Sequence, residues 1–545
     1  MSIKSKIKNL VMVGFIAYNL SLNGQSWPPD GMAGDGLSAA TAWQITDTSQ
    51  LRTLADYVNA GNGTNTNGKY FKLMNNINLS EYVNWKPIGD YSNYGYNYCF
   101  QGNFDGNGKV IHNLTINRPT EDNVGFFGFT YKAKIENIGI ENCNVAGKNC
   151  VGGLVGCNMK NATISNCYAT GIINADSFVG GLVGENDDSS TISNCHATCD
   201  VNGSYIIGGL AGSNDNHSTI SNCYTIGNVS GIENGKVGGL VGVCDESTIS
   251  YCSATGSIIG GSIIGGLVGM LHSSVTFCCY TTSDIIGGSY TGGFAGSGGG
   301  TVYNCYATGN VYGNGDRVGG FVGSSMYLTI SNCYASGNVS GHNLVGGFIG
   351  ANAYSTLRNC IAVNDSVINR SNLDKVNRFA GYASSTTCNK IYALNTTIVQ
   401  NSNGDIQITD GSITAGIGKN IATLQSRNFY TTADNWDSSA WDMVTIWDIN
   451  DGSGLPFLRK QGNVGISKIV KDHNINVFPN PTNGQLTIKG INELYSVVDF
   501  IIYNIAGQII FQGKLQDSST INVEHLAKGI YYLKISDITM KFVKN

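Results

Sequence analysis

The chain has 545 residues, 13% of them charged, with a net charge of -5 and an isoelectric point near 5.8. This charge balance provides no basic stripe for a phosphate backbone and argues against nucleic-acid binding, while 41% hydrophobic residues argue against a disordered chain. With 73 glycines and only 7 prolines, the composition excludes collagen and predicts a turn-rich β protein.

The first residues have the pattern of an export signal. Lys4, Lys6 and Lys8 precede an apolar run over 10–22, the order of a signal peptide, and the run is too short to cross a membrane comfortably. A core helix is disfavoured because residues 11–17 are apolar on every face. We therefore expect 1-24 to be a cleaved signal peptide and the mature protein to be exported without a transmembrane anchor.

A helix is predicted over residues 49–60. Thr48 or Ser49 would cap its start, and Gly61 would end it. It lies in the segment 25-120, which we interpret as an N-terminal cap leading into the repeats that follow.

Residues 121-395 repeat one glycine-rich hexapeptide, Val-Gly-Gly-Leu-Val-Gly, at intervals of 27 to 30 residues. The copies begin at Val124, Val151, Val179, Ile207, Val237, Ile264, Thr291, Val318 and Val345. A second element, Thr-Ile-Ser-Asn-Cys-Tyr-Ala at 163–169, follows most copies in similar form. Short strand-like pieces separated by Gly, Asn, Asp and Ser at this period predict a solenoid.

A 27-residue repeat cannot bury its apolar face alone, but stacked repeats can pair every backbone group with the coil above or below, about 4.8 Å away. The predicted fold class is all-β, a parallel β-helix or β-solenoid that the crossover rule makes right-handed. Nine coils would give a rod of roughly 43 Å. The double glycine would let the wall bend and let backbones approach one another.

The repeat also predicts which side chains face inward. Ile164 and Cys167 are three residues apart, so both can face inward only if the chain bends between them, at Asn166. The same corner recurs at Asn194, Asn222, Asn304, Asn332 and Asn359. Asparagine tolerates left-handed backbone, and stacked side-chain amides can bond along the axis. Cys167 and Ala169 would then face inward, with Tyr168 and Thr170 outward.

Cysteine recurs once per repeat. The predicted ladder comprises Cys143, Cys167, Cys195, Cys223, Cys252, Cys279, Cys305, Cys333 and Cys360. Sixteen cysteines in an exported protein ordinarily suggest disulfides, but parallel Cβ vectors about 4.8 Å apart exceed the ~3.8 Å that a disulfide needs, which favours thiols. Zinc is disfavoured because Cys195 and Cys199 lack histidines at zinc spacing. We expect no metal and no cofactor.

An outward column of tyrosines is the candidate contact surface. It comprises Tyr168, Tyr224, Tyr280, Tyr306 and Tyr334. Stacked exposed tyrosines could hold sugars or a partner surface. They could equally form a cross-strand ladder that stabilises the wall.

No catalytic constellation is evident. The sequence contains no His-Glu-x-x-His, no Gly-x-Ser-x-Gly and no P-loop motif. Glu185, Asp187, Asp188 and Asp215 do not recur with the period, so we interpret them as solvated turn residues and not as calcium ligands. Lys236 is the only Lys or Arg in 161–316, whereas a lyase for anionic polymers would carry more. We expect no enzyme.

The hexapeptides resemble GLUG motifs of bacterial surface and secreted proteins. Residues 85–89 (Trp-Lys-Pro-Ile-Gly) and 104–116 are similar to the leader that opens such arrays. The resemblance covers about residues 40–460. It implies architecture far better than activity.

The segment 396-465 is predicted to be a C-terminal cap. Trp436, Trp441 and Trp447, with Leu-Pro-Phe-Leu at 455–458, supply bulky apolar cover, which we expect near the other end of the rod. The alternative, a sugar-binding platform, would leave one tryptophan exposed.

Four sequence blocks in 470-545 resemble a type IX secretion sorting domain of the kind used by Bacteroidota. They lie at 477–484, 502–508, 526–533 and 541–544. The resemblance implies export across the outer membrane by the type IX machinery, followed by removal of the domain. The residues that carry it are Pro479, Asn480, Pro481, Gly484, Gly507, Gly529, Tyr531, Lys541, Val543 and Lys544. Apolar alternation at 486–488 and 531–535 independently predicts a small antiparallel β-sandwich, which an ordinary adhesive domain would share.

These features together predict an extracellular or surface-attached, non-enzymatic, adhesin-like protein. It would contact glycans, matrix or other cells by multivalent weak binding. The alternative is a carbohydrate-active enzyme, a polysaccharide lyase or glycosidase, with its groove on one lateral face. A carboxylate pair about 5 to 9 Å apart in a cleft would favour that alternative.

Overall fold

The computed structural model describes residues 27–29, 32–91, 95–232, 234–459, 476–478, 482–489, 498–504, 509–515, 520–535 and 538–544. The predicted signal peptide and the sorting residues Pro479, Asn480, Pro481 and Gly507 lie outside these ranges. The chain forms two compact units, residues 1–463 and 464–545.

The first unit is a β-solenoid of about 13 coils whose strands stack in parallel. Equivalent residues of successive repeats pair directly, as Ile164 does with Ile192 and Ile192 with Ile220. The predicted all-β parallel solenoid is confirmed. The coils exceed the nine hexapeptides because strands N-terminal to them already stack in register. At about 4.8 Å per coil the rod is roughly 60 Å long.

The strands fall into recurring positions around each coil. Those of the N-terminal coils are Trp43–Ile45, Tyr70–Leu73, Ile77–Asn78, Asn103–His112, Thr115–Asn117 and Lys134–Ala146. The first glycine of each pair ends a strand of a nine-stranded sheet, whose ninth strand has asparagine there. Its strands are Asn149–Gly152, Ser177–Gly180, Ile206–Gly208, Lys236–Gly238, Ile263–Gly265, Tyr290–Gly292, Asp316–Gly319, Asn343–Gly346 and Val376–Asn377.

After a tight turn each coil continues in the wall that carries the end of the hexapeptide. Its strands are Phe127–Tyr131, Val155–Met159, Val183–Asp187, Ala211–Asn214, Val241–Asp245, Val268–Phe277, Ala295–Tyr303, Val322–Ser331, Ile349–Ala353 and Ala380–Ser384. Beyond the next corner lie the short strands Thr163–Ser165, Thr191–Ser193, Thr219–Ser221, Thr248–Ser250, Thr356–Arg358 and Thr387–Asn389. In three coils one long strand continues through this corner into the same position, namely Val268–Phe277, Ala295–Tyr303 and Val322–Ser331.

The return side of each coil carries the cysteine-tyrosine element. Its strands are Tyr168–Asn174, His196–Gly203, Tyr224–Thr225, Val229–Gly231, Ser253–Ala254, Ser257–Ile259, Tyr280–Thr281, Asp284–Gly287, Tyr306–Ala307, Val311–Gly313, Tyr334–Ala335, Val339–Gly341, Ile361–Ala362, Ser366–Asn369, Tyr392–Leu394, Ile398–Asn401 and Ile417–Lys419.

Helices and short hairpins precede and follow the stacked coils in the chain. The N-terminal helix Thr48–Tyr57 continues into the turns Val58–Asn62 and Gly63–Thr66, and Tyr96–Tyr98 forms a further turn. The helix cap is Asp47, whose side chain accepts the Gln50 N–H, which corrects the predicted Thr48 or Ser49. The C-terminal segment holds Gly404–Asp405, Ile421–Leu424, Arg427–Thr431, Ala433–Asn435, Trp447–Asp448 and Phe457–Leu458.

The glycines of the hexapeptide lie where a side chain would collide with backbone. A Cβ on Gly293 would point along the rod to within 1.9 Å of the Gly320 carbonyl oxygen, one coil on. A Cβ on Gly292 would lie 2.0 Å from the Ala295 oxygen, and one on Gly296 would meet the backbone of the preceding coil. The repeat therefore needs glycine at these positions to bring backbones together, as predicted.

The asparagine corner is confirmed. Asn166, Asn194, Asn222, Asn304, Asn332 and Asn359 all have φ between 53° and 56°. Asn332 Nδ2 donates to Asn304 Oδ1 at 3.3 Å, and Asn359 Nδ2 donates to Asn332 Oδ1 at 3.0 Å. The corner thus combines left-handed backbone with amide bonds along the axis.

The cysteines that recur once per coil from Cys167 to Cys360 form a buried ladder of free thiols. Cys195 Sγ accepts the Cys167 N–H at 3.4 Å and donates to the Ser193 oxygen at 3.1 Å, a pattern repeated along the rod. Burial raises the pKa of these thiols well above its ordinary value. Cys143 is wrongly placed in the predicted ladder, because it pairs with Gly171 in a different column.

The second unit consists of two small antiparallel sheets, as the alternation predicts. One contains Asn476–Phe478, Gln485–Lys489 and Thr520–Asn522, and the other Ile509–Leu515, Val498–Asn504, Gly529–Ile535 and Ile538–Lys544. Gly529 pairs with Lys544, and Val543 and Lys541 pair with residues flanking Tyr531. The last two predicted sorting blocks are therefore neighbouring strands, while Gly484 lies in the turn before Gln485–Lys489.

Candidate functional site

The predicted tyrosine column forms, but much of it is covered. Tyr280, Tyr306 and Tyr334 stack with ring centroids 5.0 and 5.1 Å apart, yet are only 9%, 6% and 4% exposed. Trp447 lies about 6 Å from both Tyr306 and Tyr334, and the Tyr334 hydroxyl donates to the Pro456 oxygen at 2.8 Å. This corrects the prediction that these three tyrosines face solvent.

The other end of the column is half-buried. His196 stacks between Tyr168 and Tyr224, with centroids 5.0 and 4.7 Å away. The Tyr168 hydroxyl donates to Glu141 Oε1 at 2.6 Å. A ligand contact by Tyr168 and Tyr224 stays a prediction.

The tryptophan-bearing part of the C-terminal segment covers a lateral wall of the solenoid, and not the end of the rod as predicted. Trp436, Trp441 and Trp447 are all buried, in one cluster with Tyr306 and Tyr334. The burial fits a cap and not a sugar platform, because no face of these indoles is available to a ligand.

A different corner of the solenoid carries exposed and half-buried side chains whose chemistry changes from coil to coil. We call it the corner strip; it consists of Tyr131, Lys132, Met159, Lys160, Asp187, Asp188, Asp215, Asn216, Asp245, Glu246, His272, Ser273, Gly299, Met326, Tyr327, Ala353 and Tyr354. In most coils one of its residues has left-handed backbone, for example Lys132, Glu246 and Tyr327 with φ of 55°, 46° and 57°. This turn makes the corner and points successive side chains away from the core.

The acidic part of the strip is in register, contrary to the prediction. Asp215 lies one coil from Asp187 and one coil from Asp245. Its N–H donates to the Asn186 oxygen in the preceding coil, and the Asn216 N–H donates to the Asp245 oxygen in the next coil. Burial is the largest cause that raises the pKa of Asp215 to about 7, and neighbouring carboxylates add to it. Asn216 Nδ2 donates to Asp187 Oδ1 at 2.8 Å.

Glu185 lies in a strand beside the acidic part and is not a solvated turn residue. Its Oε2 accepts the thiols of Cys150 at 3.4 Å and Cys157 at 3.6 Å. Burial raises the pKa of the Glu185 carboxyl. Asp188 forms an ion pair with Lys160.

A notch interrupts the strip at Gly299. In this coil a single residue, Gly299, separates the paired positions Gly298 and Gly300. In each neighbouring coil two residues separate the positions that pair with these glycines. These two-residue corners are His272-Ser273 and Met326-Tyr327, and the cavity between them is about 470 Å³. Tyr327 stacks on Tyr354 at 5.5 Å. The sequence prediction missed this site.

Comparison with known proteins agrees with the repeats and the C-terminal unit. Residues 147–174, 179–202 and 314–340 match the family model of the GLUG motif. Residues 476–545 match the model of the Secretion system C-terminal sorting domain. The chain therefore contains GLUG repeats and a C-terminal secretion sorting domain. The sorting domain marks the GLUG-repeat protein for export to the cell surface or the medium and implies an interaction with the secretion machinery.

Two further similarities are partial. The GLUG-repeat protein is 31% identical over 133 residues, 23% of its length, to Halomucin of Haloquadratum walsbyi (strain DSM 16790 / HBSQ001), of which it spans about 1%. A crystal structure from Bacteroides ovatus, described as that of a candidate immunoglobulin A1 protease, is 17% identical with a TM-score of 0.30; the match covers 78% of this chain and 94% of that one.

Among the described residues, no helix is long and apolar enough to span a bilayer. Among the same residues, no group of three or more His, Cys, Asp or Glu side chains has the arrangement of a metal site.

Proposed function

We propose that this GLUG-repeat protein is a non-enzymatic, adhesin-like rod that contacts glycans, matrix or other cells by multivalent weak binding. The observation that carries the proposal is the corner strip, which presents exposed and half-buried side chains of changing chemistry at a fixed spacing along one rigid axis. Several weak contacts on one rigid support reinforce each other, because each engaged contact raises the effective concentration of the next.

The fold supports this role by fixing the side chains before any ligand arrives. Backbone pairing between coils and left-handed corner residues hold the strip in place. Binding to such a surface needs little ordering, so less of each weak interaction is lost as conformational entropy. The strip is basic near Lys132 and Lys160, acidic from Asp187 to Glu246 and aromatic at Tyr327 and Tyr354.

A carbohydrate-active enzyme is the second candidate. Asp215, with its pKa raised to about 7, lies one coil from both Asp187 and Asp245, and a protonated acid beside another carboxylate is what a glycosidase uses. The partial burial of Asp215 favours the adhesin, because its Oδ1 is inaccessible to solvent, whereas a general acid must reach its substrate.

The test combines binding with a turnover assay on the full chain. Binding to a glycan array, matrix proteins and cells is measured for the wild type and for the strip variants Lys132→Gln and Glu246→Gln. Tyr205→Ala serves as the control, since Tyr205 is 48% exposed outside the strip. Reducing-end release is measured on the polysaccharides of the array, with Asp215→Asn as the active-site variant.

Weaker binding of the strip variants with an unchanged control supports the proposal. Equal binding by all variants, or no binding to any target, would overturn it. Release of reducing ends by the wild type, abolished in Asp215→Asn, would establish the enzyme instead.

A further inference from the structure

The notch originates from one missing residue. Cys279 and Cys305, which stack on each other, are 26 residues apart, whereas neighbouring ladder cysteines are 27 to 29 apart. The missing residue falls at the corner, so one coil there is narrower than the coils on both sides. Because the two flanking coils are two spacings apart, the gap is about 10 Å wide.

The floor of the notch is bare backbone. Residues 298–300 are all glycine, and a Cβ on Gly299 would come within 2.8 Å of the Met326 oxygen. One wall holds His272, whose Nδ1 lies 2.5 Å from Asp245 Oδ1. The other wall holds Tyr327, which is 65% exposed and stacks on the 55% exposed Tyr354.

This combination fits a sugar ring. The apolar face of a pyranose packs on an exposed aromatic ring, which gives up little conformational entropy on binding. Hydroxyl groups at the ring edge need polar partners, and His272, Ser273 and the glycine backbone supply them. A cavity of about 470 Å³ lies within the size range of ligand pockets.

The charges near the notch decide which sugar it suits. No Lys, Arg, Asp or Glu is among the residues that line it. The nearest carboxylates on the strip belong to Asp245 and Glu246. They lie in the coil next to His272, which forms one wall of the notch. They would repel a uronate or a sulfated sugar. An uncharged ring avoids this repulsion.

From this geometry we propose that the notch at Gly299 is a binding site for an uncharged pyranose residue of a polysaccharide, stacked on Tyr327. The inference rests on the proposed function and names one site and one ligand class for it. Met326 and Tyr354 extend the apolar contact beyond a single ring, so a chain bound through the notch can run along the strip.

The experiment measures binding of the full chain to soluble mannan, galactan, xylan and β-glucan by affinity electrophoresis. Polygalacturonate and dextran sulfate are the anionic comparison. Tyr327→Ala and Tyr354→Ala remove the platform, and each should weaken binding roughly three- to tenfold. An asparagine inserted after Gly299 restores the two-residue corner and should abolish binding by filling the notch. Tyr205→Ala is the matched control on another wall.

Binding to at least one neutral polymer, reduced in the two tyrosine variants and the insertion but not in Tyr205→Ala, supports the inference. Binding that is equal in all variants would overturn it while leaving adhesion through the rest of the strip intact. Binding to anionic polymers alone, or to none of the polymers, would overturn it as well, and the tests with cells and matrix then decide the proposed function separately. If the insertion fails to fold, the tyrosine variants still decide.

Discussion

Removal of the Trp447 side chain should release the cap from the tyrosine column. The indole is fully buried, lies 4.7 Å from the Trp441 ring, and donates from Nε1 to Asn304 Oδ1 at 3.3 Å. Truncation of a buried tryptophan to alanine costs about 3 to 5 kcal/mol, of which the lost hydrogen bond is about 1. Coils of a solenoid are coupled mainly to their neighbours, so this loss should fall on the cap and the coils beneath it.

The assay for Trp447→Ala is hydrogen exchange read by mass spectrometry. Since 1.4 kcal/mol is a factor of ten, amides in residues 421–459 should exchange faster by roughly two to three and a half orders of magnitude. Amides in 163–225, far from the cap in sequence and outside its cluster, should not change. Burial raises the pKa of Tyr306 and Tyr334, so both hydroxyls should titrate closer to pH 10 in the variant.

Val444→Ala is the control, because Val444 lies in the same segment and is 80% exposed. Its effect should stay within about 0.5 kcal/mol. Wild-type exchange and wild-type tyrosine titration in Trp447→Ala would refute the view that the cap is what buries the column.

Three further predictions concern the solenoid itself. Gly293→Ala should lower the free energy of unfolding by about 3 kcal/mol or more in urea, whereas Gly454→Ala, whose added Cβ would meet nothing closer than 3.7 Å, should have little effect; equal costs would contradict the collision. Folding raises the pKa of Asp215 from 3.8 to about 7, so between these pH values the folded chain holds a proton that the unfolded chain has released. The free energy of unfolding should therefore fall as the pH rises from about 4 to 7, by at most about 4 kcal/mol. Asp215→Asn should remove this pH dependence, and an unchanged dependence in the variant would count against it. Iodoacetamide at pH 8 should leave Cys252 unmodified in the native chain and modify it after denaturation, and native labelling would show that the ladder opens.

Features that repeat with the coil could be predicted from sequence. One assumption, that each repeat stacks in register on the next, is enough to predict them. It places Cys167 inward, requires left-handed backbone at Asn166 and brings the glycines close to neighbouring backbone. Cys143 shows the limit of that reasoning. It shares the residue type but lies 24 positions before Cys167, and the register assigns it to the column of Gly171.

The burial of Tyr280, Tyr306 and Tyr334 could not be predicted in this way. The repeat indicates only that these rings leave the core, and it does so correctly. They are covered by a segment more than 100 residues later in the chain. The sequence predicts that its tryptophans form a cap, but it places that cap near the end of the rod and not against this wall. Contacts between a repeat and a non-repeating segment leave no period in the sequence.

The notch did leave a signal, which is the 26-residue step from Cys279 to Cys305. In an isolated loop a missing residue is absorbed by rearrangement of the backbone. Here the coil is paired with its neighbours on both sides of Gly299, so the deficit cannot spread and becomes a gap of fixed shape. The same pairing that makes the interior uniform therefore turns a one-residue irregularity at a corner into a distinct surface, and departures from the period are where specific recognition by a solenoid should be sought.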